Sequence, residues 1–102
     1  MVTPWEKKVL DLVAYIPKGK VTTYKELARA TGAPQACRAI GNALHKNPWS
    51  PDIPCHRVVK TNGEVGEFAG GKEKKKKWLK EEGVVLQSDQ VVNLAQLMYR
   101  YT

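Results

Sequence analysis

Near the start of the chain, apolar residues return every three or four positions, at Trp5, Val9, Leu12 and Val13. That is the period of a helix with one face turned inward. Thr3-Pro4-Trp5-Glu6 opens the helix with a capping hydroxyl, a proline at the first helical position and a glutamate three residues after the cap. Pro17 and Gly19 end it. Thr23-Tyr24-Lys25-Glu26 repeats the capping box ahead of a second helix, with Leu27 and Ala28 on its inner side and Gly32 at its close. Pro34 is expected to start a third helix, on which Ala36, Ala39, Ile40, Ala43 and Leu44 form one apolar stripe. Two short helices joined by Thr31-Gly32-Ala33 make a helix-turn-helix pattern. On the second of them Arg38, Asn42 and His45 share the face away from the stripe. Such a face suits a helix laid against DNA, and it equally suits plain solvation.

Residues 47–71 are rich in turn formers: Asn47-Pro48, Ser50-Pro51, Ile53-Pro54, Asn62-Gly63 and Gly70-Gly71. Val58-Val59 and Val65 are expected to pair as a hairpin across Asn62-Gly63. A helix is predicted over residues 73–82, carrying Trp78 and Leu79, and its lysine run at 74–77 reads as a solvated face near phosphates. Ser88 is expected to cap a last helix with Val91, Leu94, Ala95 and Met98 on one side. The predicted class is mainly α: a winged helix-turn-helix-like domain with a short β-hairpin, spanning residues 1–87, and an added C-terminal helix, residues 88–102, packed on it.

The chain's 102 residues suffice for one compact domain. Lys and Arg number 17 against 10 Asp and Glu, a net charge of +7. This favours a polyanionic partner, of which nucleic acid is the commonest, although a merely basic soluble surface has the same composition. Two cysteines, Cys37 and Cys55, make no disulfide framework. No apolar run approaches the ~20 residues that span a bilayer, and the first residues lack the basic-then-apolar pattern of a secretory signal. The expectation is a soluble monomer in a reducing compartment, the cytoplasm, or the nucleus in a eukaryote, with no membrane partner.

Pro54-Cys55-His56-Arg57-Val58 holds the candidate chemistry. A free cysteine has a pKa near ~8.5, so only a small fraction is thiolate at neutral pH. As a nucleophile it needs a base or a positive charge close by, and here a histidine and an arginine follow it. His56 could act directly or through one water, with a carboxylate elsewhere fixing its tautomer. The same pair also fits an inert buried cysteine. Cys37, His45, Cys55 and His56 match no usual zinc spacing.

The wider order of motifs adds to this. Gly19-Lys20-Val21-Thr22-Thr23-Tyr24, Cys37-Arg38-Ala39-Ile40-Gly41, Asn47-Pro48, Ile53 through Val59, the glycines at 66 and 71, and Glu82-Gly83 follow one another. In that order they resemble the C-terminal domain of the O6-alkylguanine-DNA alkyltransferase family, the methylated-DNA–protein-cysteine methyltransferases, over residues 1–86. The resemblance implies DNA repair by single-turnover transfer, without cofactor or metal, from O6-alkylguanine in double-stranded DNA. Cys55 is then the alkyl acceptor, His56 its base through a bound water, and Glu82 the group that orients His56. Arg38 becomes a finger that fills the gap left by the flipped guanine, on a helix whose Ala39, Gly41 and Asn42 lie against the minor groove. Tyr24 presses on the phosphate and later protonates the guanine, and Asn47 braces the turn beside the site. The carbonyls of Cys55 and Val58 accept from the guanine amino group. Phe68, Ala69 and Gly70 wall the pocket, with the Ala69 N–H near the guanine oxygen.

Three departures qualify the resemblance. Longer family members carry an N-terminal domain that is not expected here. Phe68 and Ala69 stand where the family commonly has Tyr and often Ser, which removes hydroxyls from the pocket wall. The segment after residue 87 lies beyond the family core. The alternative function is a non-enzymatic alkyltransferase-like damage sensor. Such proteins share the fold and the base flipping but typically replace the reactive cysteine, which is present here as Cys55. A plain DNA-binding regulator is the further alternative.

Overall fold

The computed structural model describes residues 2–50, 52–68 and 70–101. The first helix, α1 (Pro4–Ala14), starts as its sequence predicts. The Thr3 hydroxyl accepts from the Glu6 N–H, and the Glu6 carboxylate accepts from the Thr3 N–H. Its inner face buries Val9, Leu10 and Val13. Strand β1 (Thr22–Thr23) leads into α2 (Tyr24–Ala30), where Thr23 caps the Glu26 N–H. The second half of the expected box is absent because the Glu26 carboxylate is taken by Arg29 and by the Tyr101 N–H.

Helix α3 (Cys37–His45) begins three residues later than its proline suggests. Pro34 sits in a turn closed by the Ala36 N–H on the Ala33 carbonyl, and Ala36 has no side chain to cap the helix. Ile40, Ala43 and Leu44 are buried in the core cluster shared with α1 and α2, whereas Ala39 is exposed. The apolar stripe is therefore narrower than its pattern, and a small residue is left on the outer face.

A 3₁₀ turn, Cys55–Arg57, runs into β2 (Val58–Val59). The predicted hairpin between Val58-Val59 and Val65 does not form. Instead β2 pairs in parallel with β1, Thr22 opposite Val58 and Thr23 opposite Val59. Val58 and Val59 are both fully buried, one in each of two core clusters. A strand covered on both faces is the usual setting for parallel pairing. The chain still turns at Asn62-Gly63, where Gly63 has φ +92° and its N–H reaches the Lys60 carbonyl. Val65, however, donates to Asp89.

Helix α4 (Lys72–Glu81) corrects the reading of its lysine run as a solvated face: Lys74 and Lys77 are exposed, but Lys75 is only 1% exposed. The expected helix start at Ser88 is also corrected. Ser88, with φ 57°, lies in the turn of an antiparallel hairpin, β3 (Leu86–Gln87) with β4 (Gln90–Val91), and only α5 (Leu94–Leu97) is helical. Leu86 and Val91 face one another in that hairpin and pack into the second core cluster, an arrangement a continuous helix could not provide. The last residues strap across the fold: Val21 donates to Leu97, Tyr99 donates to Val21, and the Tyr101 hydroxyl donates to the Leu12 carbonyl.

Candidate active site around Cys55

The burial of β2 fixes the 3₁₀ turn before it and so places Cys55, 5% exposed, at the margin of the first core cluster. Asn47 braces the loop leading in. Its amide nitrogen donates to the Ile53 carbonyl at 2.8 Å, and its oxygen accepts from the Trp49 N–H at 2.9 Å.

His56 is also buried, and its Nε2 lies 3.0 Å from Glu82 Oε2. Burial holds the imidazole below its ordinary pKa, against the opposing pull of Glu82. Burial would raise the Glu82 carboxyl, but hydrogen bonds from Arg57 and His56 outweigh it and the net direction is down. A neutral imidazole beside an ionised carboxylate carries its proton on Nε2, because the carboxylate can only accept. Nδ1 is then the basic nitrogen. It is the one buried side-chain polar atom among the described residues without a hydrogen-bond partner. Arg57 grips the same carboxylate with two contacts, Nε to Oε1 at 2.8 Å and Nη2 to Oε2 at 2.6 Å, and its Nη1 donates to the Ile16 carbonyl at 2.7 Å.

Tyr24, at the start of α2, is held above its ordinary pKa by burial, and then by the nearby charges of Cys55 and Glu67, so its hydroxyl keeps its proton. Lys75 lies behind the site with Nζ 3.2 Å from the Glu67 carbonyl. Burial pushes its pKa down to about 8; the charge of Cys55 opposes this and Lys60 adds to it.

Two spaces open onto Cys55. One is a cleft of about 10 Å³ lined by Tyr24, Gly41, Leu44, His45, Glu67 and Phe68. The other is a cavity of about 430 Å³ lined by Leu44, Asn47, Ser50, Phe68, Gly70, Lys74 and Trp78. Gly70 permits a close approach there, since a Cβ on it would lie 2.8 Å from the Phe68 ring. The structure thus brings Tyr24, Gly41, Asn47, Phe68 and Gly70 to Cys55, with His56 next to it in the 3₁₀ turn and Glu82 bonded to His56. Val58 lines neither space and its side chain is core. Ala69 lies outside the described residues. Arg38, Ala39 and Asn42 are exposed on α3, together with His45.

The sequence reading missed Lys75, Trp78 and the clamp made by Arg57. Helical spacing carried a signal for the first, because Lys75 stands four residues before Leu79 and shares its inward face. Among the described residues no three His, Cys, Asp or Glu groups are placed to hold a metal ion, and no helix is long and apolar enough to cross a membrane.

A helix-turn-helix domain with a cysteine beside its second helix, followed by a histidine bonded to a clamped carboxylate, belongs by its fold to the helix-turn-helix class of DNA-binding domains. Comparison with known proteins makes this specific. A family model described as 6-O-methylguanine DNA methyltransferase, DNA binding domain, matches residues 4–84, and the chain belongs to that family. The methylated-DNA–protein-cysteine methyltransferase of Methanothermobacter thermautotrophicus is 44% identical over 86 residues, 83% of this chain and 47% of that protein. The chain spans about half the length of the curated relatives it matches. Among solved structures, S. pombe Atl1 in complex with damaged DNA containing O6-carboxymethylguanine superposes with a TM-score of 0.80 at 35% identity, covering 95% of each chain. Mycobacterium tuberculosis OGT in complex with DNA superposes with a TM-score of 0.78 at 35% identity, covering 80% of this chain and 51% of that one.

Proposed function

We propose that this chain binds double-stranded DNA, turns out an O6-alkylated guanine and takes the alkyl group onto Cys55 in a single turnover. The observation that carries the reading is the His56–Glu82 pair, which leaves Nδ1 as a buried, unpaired base next in sequence to the cysteine. His56 takes the thiol proton, through one water, and Glu82 stabilises the imidazolium that results. The thiolate attacks the alkyl carbon, the carbon–O6 bond breaks, and its electron pair leaves on the guanine. Tyr24, still protonated, supplies the proton that neutralises it. The carbonyls of Cys55 and Val58 accept from the guanine amino group. Phe68 and Gly70 wall the site, and the Ala69 N–H completes it at the guanine oxygen.

A base inside the duplex cannot be reached, and extruding it costs a few kcal/mol. Arg38 offsets this by filling the gap, since its planar guanidinium both stacks and donates. The exposed Ala39, with Gly41 and Asn42 beside it, lets α3 approach the minor groove closely. The surplus of seven positive charges supports phosphate-led, sequence-independent binding. The thioether product has no cleaving group in the chain, so turnover stops at one.

The test is the intact mass of the protein after mixing with duplex DNA containing O6-methylguanine. A methyl adduct mapped to Cys55 and absent from Cys55→Ala is expected. A second reading, a damage sensor without transfer, is favoured by one observation, the match to Atl1 over 95% of both chains. Tight lesion binding with no adduct would select it, and no preference for the lesion would leave a plain regulator. Arg38→Ala is expected to slow transfer at least tenfold while bulk DNA affinity falls only about twofold, the share of one phosphate-type contact. Equal losses in the transfer rate and in a binding titration would remove the finger.

A further inference from the structure

The two spaces beside Cys55 differ in size and in charge. The small cleft carries Glu67 and His45, whereas the 430 Å³ cavity carries Lys74 as its only charged lining residue. Among the described residues no carboxylate forms an ion pair with Lys74. Its Nζ instead stands 5.0 Å from the centroid of the Trp78 ring, and Trp78 is itself packed edge-on against Phe68 at 5.6 Å. A cation held over an aromatic face is positioned without being neutralised. The stem of Lys74 is positioned too, with Cδ 3.3 Å from where a Cβ on Gly70 would be.

We propose that this cavity receives the outer part of the alkyl group and that Lys74 gives transfer a preference for alkyl groups ending in a carboxylate. The inference rests on Cys55 being the acceptor. In a displacement the sulfur, the carbon and the departing oxygen lie in line, so a substituent on the carbon projects sideways. Of the two spaces beside the sulfur, the cleft with Glu67 and His45 has almost no room for it, and the cavity with Lys74 has ample room. For a carboxymethyl group, Sγ bonds to the methylene, the methylene–O6 bond breaks, the electron pair leaves on guanine and Tyr24 protonates it. The product is a carboxymethyl thioether whose charge faces Lys74.

The experiment compares single-turnover transfer to Cys55 from duplexes bearing O6-carboxymethylguanine and its neutral amide isostere, O6-carbamoylmethylguanine, with O6-methylguanine as reference. The acid should react faster than the amide, by roughly three- to tenfold at low salt for charges a few ångströms apart near a surface. The advantage should shrink as salt is added. Lys74→Met should abolish the ratio and Lys74→Glu should invert it. A ratio unchanged in Lys74→Met overturns the proposal. So does an equal slowing of all three substrates, which would mark Lys74 as a phosphate contact. Absence of any methyl adduct on Cys55 would instead defeat the transferase reading, and this inference with it.

Discussion

Glu82→Gln should slow alkyl transfer by roughly 10²- to 10³-fold, within the span of a lost acid–base arrangement, while leaving DNA affinity within about twofold, since the Glu82 carboxylate is engaged with His56 and Arg57. Glutamine keeps the size of the side chain but can turn its NH₂ toward His56 Nε2. That forces the ring proton onto Nδ1, the nitrogen that must be free to accept one. The same change leaves the Arg57 guanidinium, whose side chain is 16% exposed, facing a neutral amide in place of the carboxylate at 2.6 Å. Breaking a largely buried pair from one side costs about 3–5 kcal/mol, measurable by urea unfolding at pH 7. The folded-state pKa of Glu82 lies below its ordinary value, so its contribution is present above the unfolded carboxylate pKa and is lost as pH falls through the folded one. The variant should therefore lose part of the acid limb of its stability profile. A variant with normal transfer and an unchanged acid limb would show that the His56–Glu82 contact does no chemical or structural work.

Lys75→Met should do the opposite to stability and the same to activity. An ammonium that is 1% exposed and bonded to a single carbonyl is poorly compensated. A fall in pKa from 10.5 to about 8 corresponds to a penalty of roughly 3 kcal/mol below pH 8. Between pH 8 and 10.5 the unfolded chain holds more protons than the folded one, so the stability of the unmodified protein rises with pH across that window. The methionine variant should be more stable at pH 7 and lose that rise. The groups whose charges bear on Lys75 are Cys55 and Lys60, and Lys75 in turn bears on His56. A thiolate forming at Cys55 would then lack its buried neighbour of opposite sign, and transfer should slow about tenfold. Urea titrations at pH 7 and 9.5, beside single-turnover rates, test both halves. Lower stability at pH 7 would mean that the contact with Glu67 outweighs the cost of burying the charge.

What could be read from the chain divides along the range of the interactions involved. The start of α1 was legible because Thr3, Pro4 and Glu6 satisfy one another within four residues. The mainly helical class was legible through helical periodicity, and the contact of Glu82 with His56 through the resemblance carried by motif order. The partner of β2 was not. Val58 and Val59 look alike whether they pair with a near neighbour or with Thr22 and Thr23, and only the two clusters assembled around them decide. Ser88 misled because a helix cap and a tight turn favour the same residue, and the choice is made by Leu86 and Val91 packing together. Lys75 was hidden by its neighbours, since a run of four lysines reads as solvent-facing until the period of Leu79 is imposed on it.

The bond from Arg57 to the Ile16 carbonyl has a mechanical consequence. Through it, the carboxylate that steers His56 is moored to the chain just beyond α1, which packs against the 3₁₀ turn although it lies some forty residues earlier in the sequence. Loosening at the end of the first helix would let that mooring slip, so the reactivity of the sulfur should register disturbances in a segment far from it in sequence.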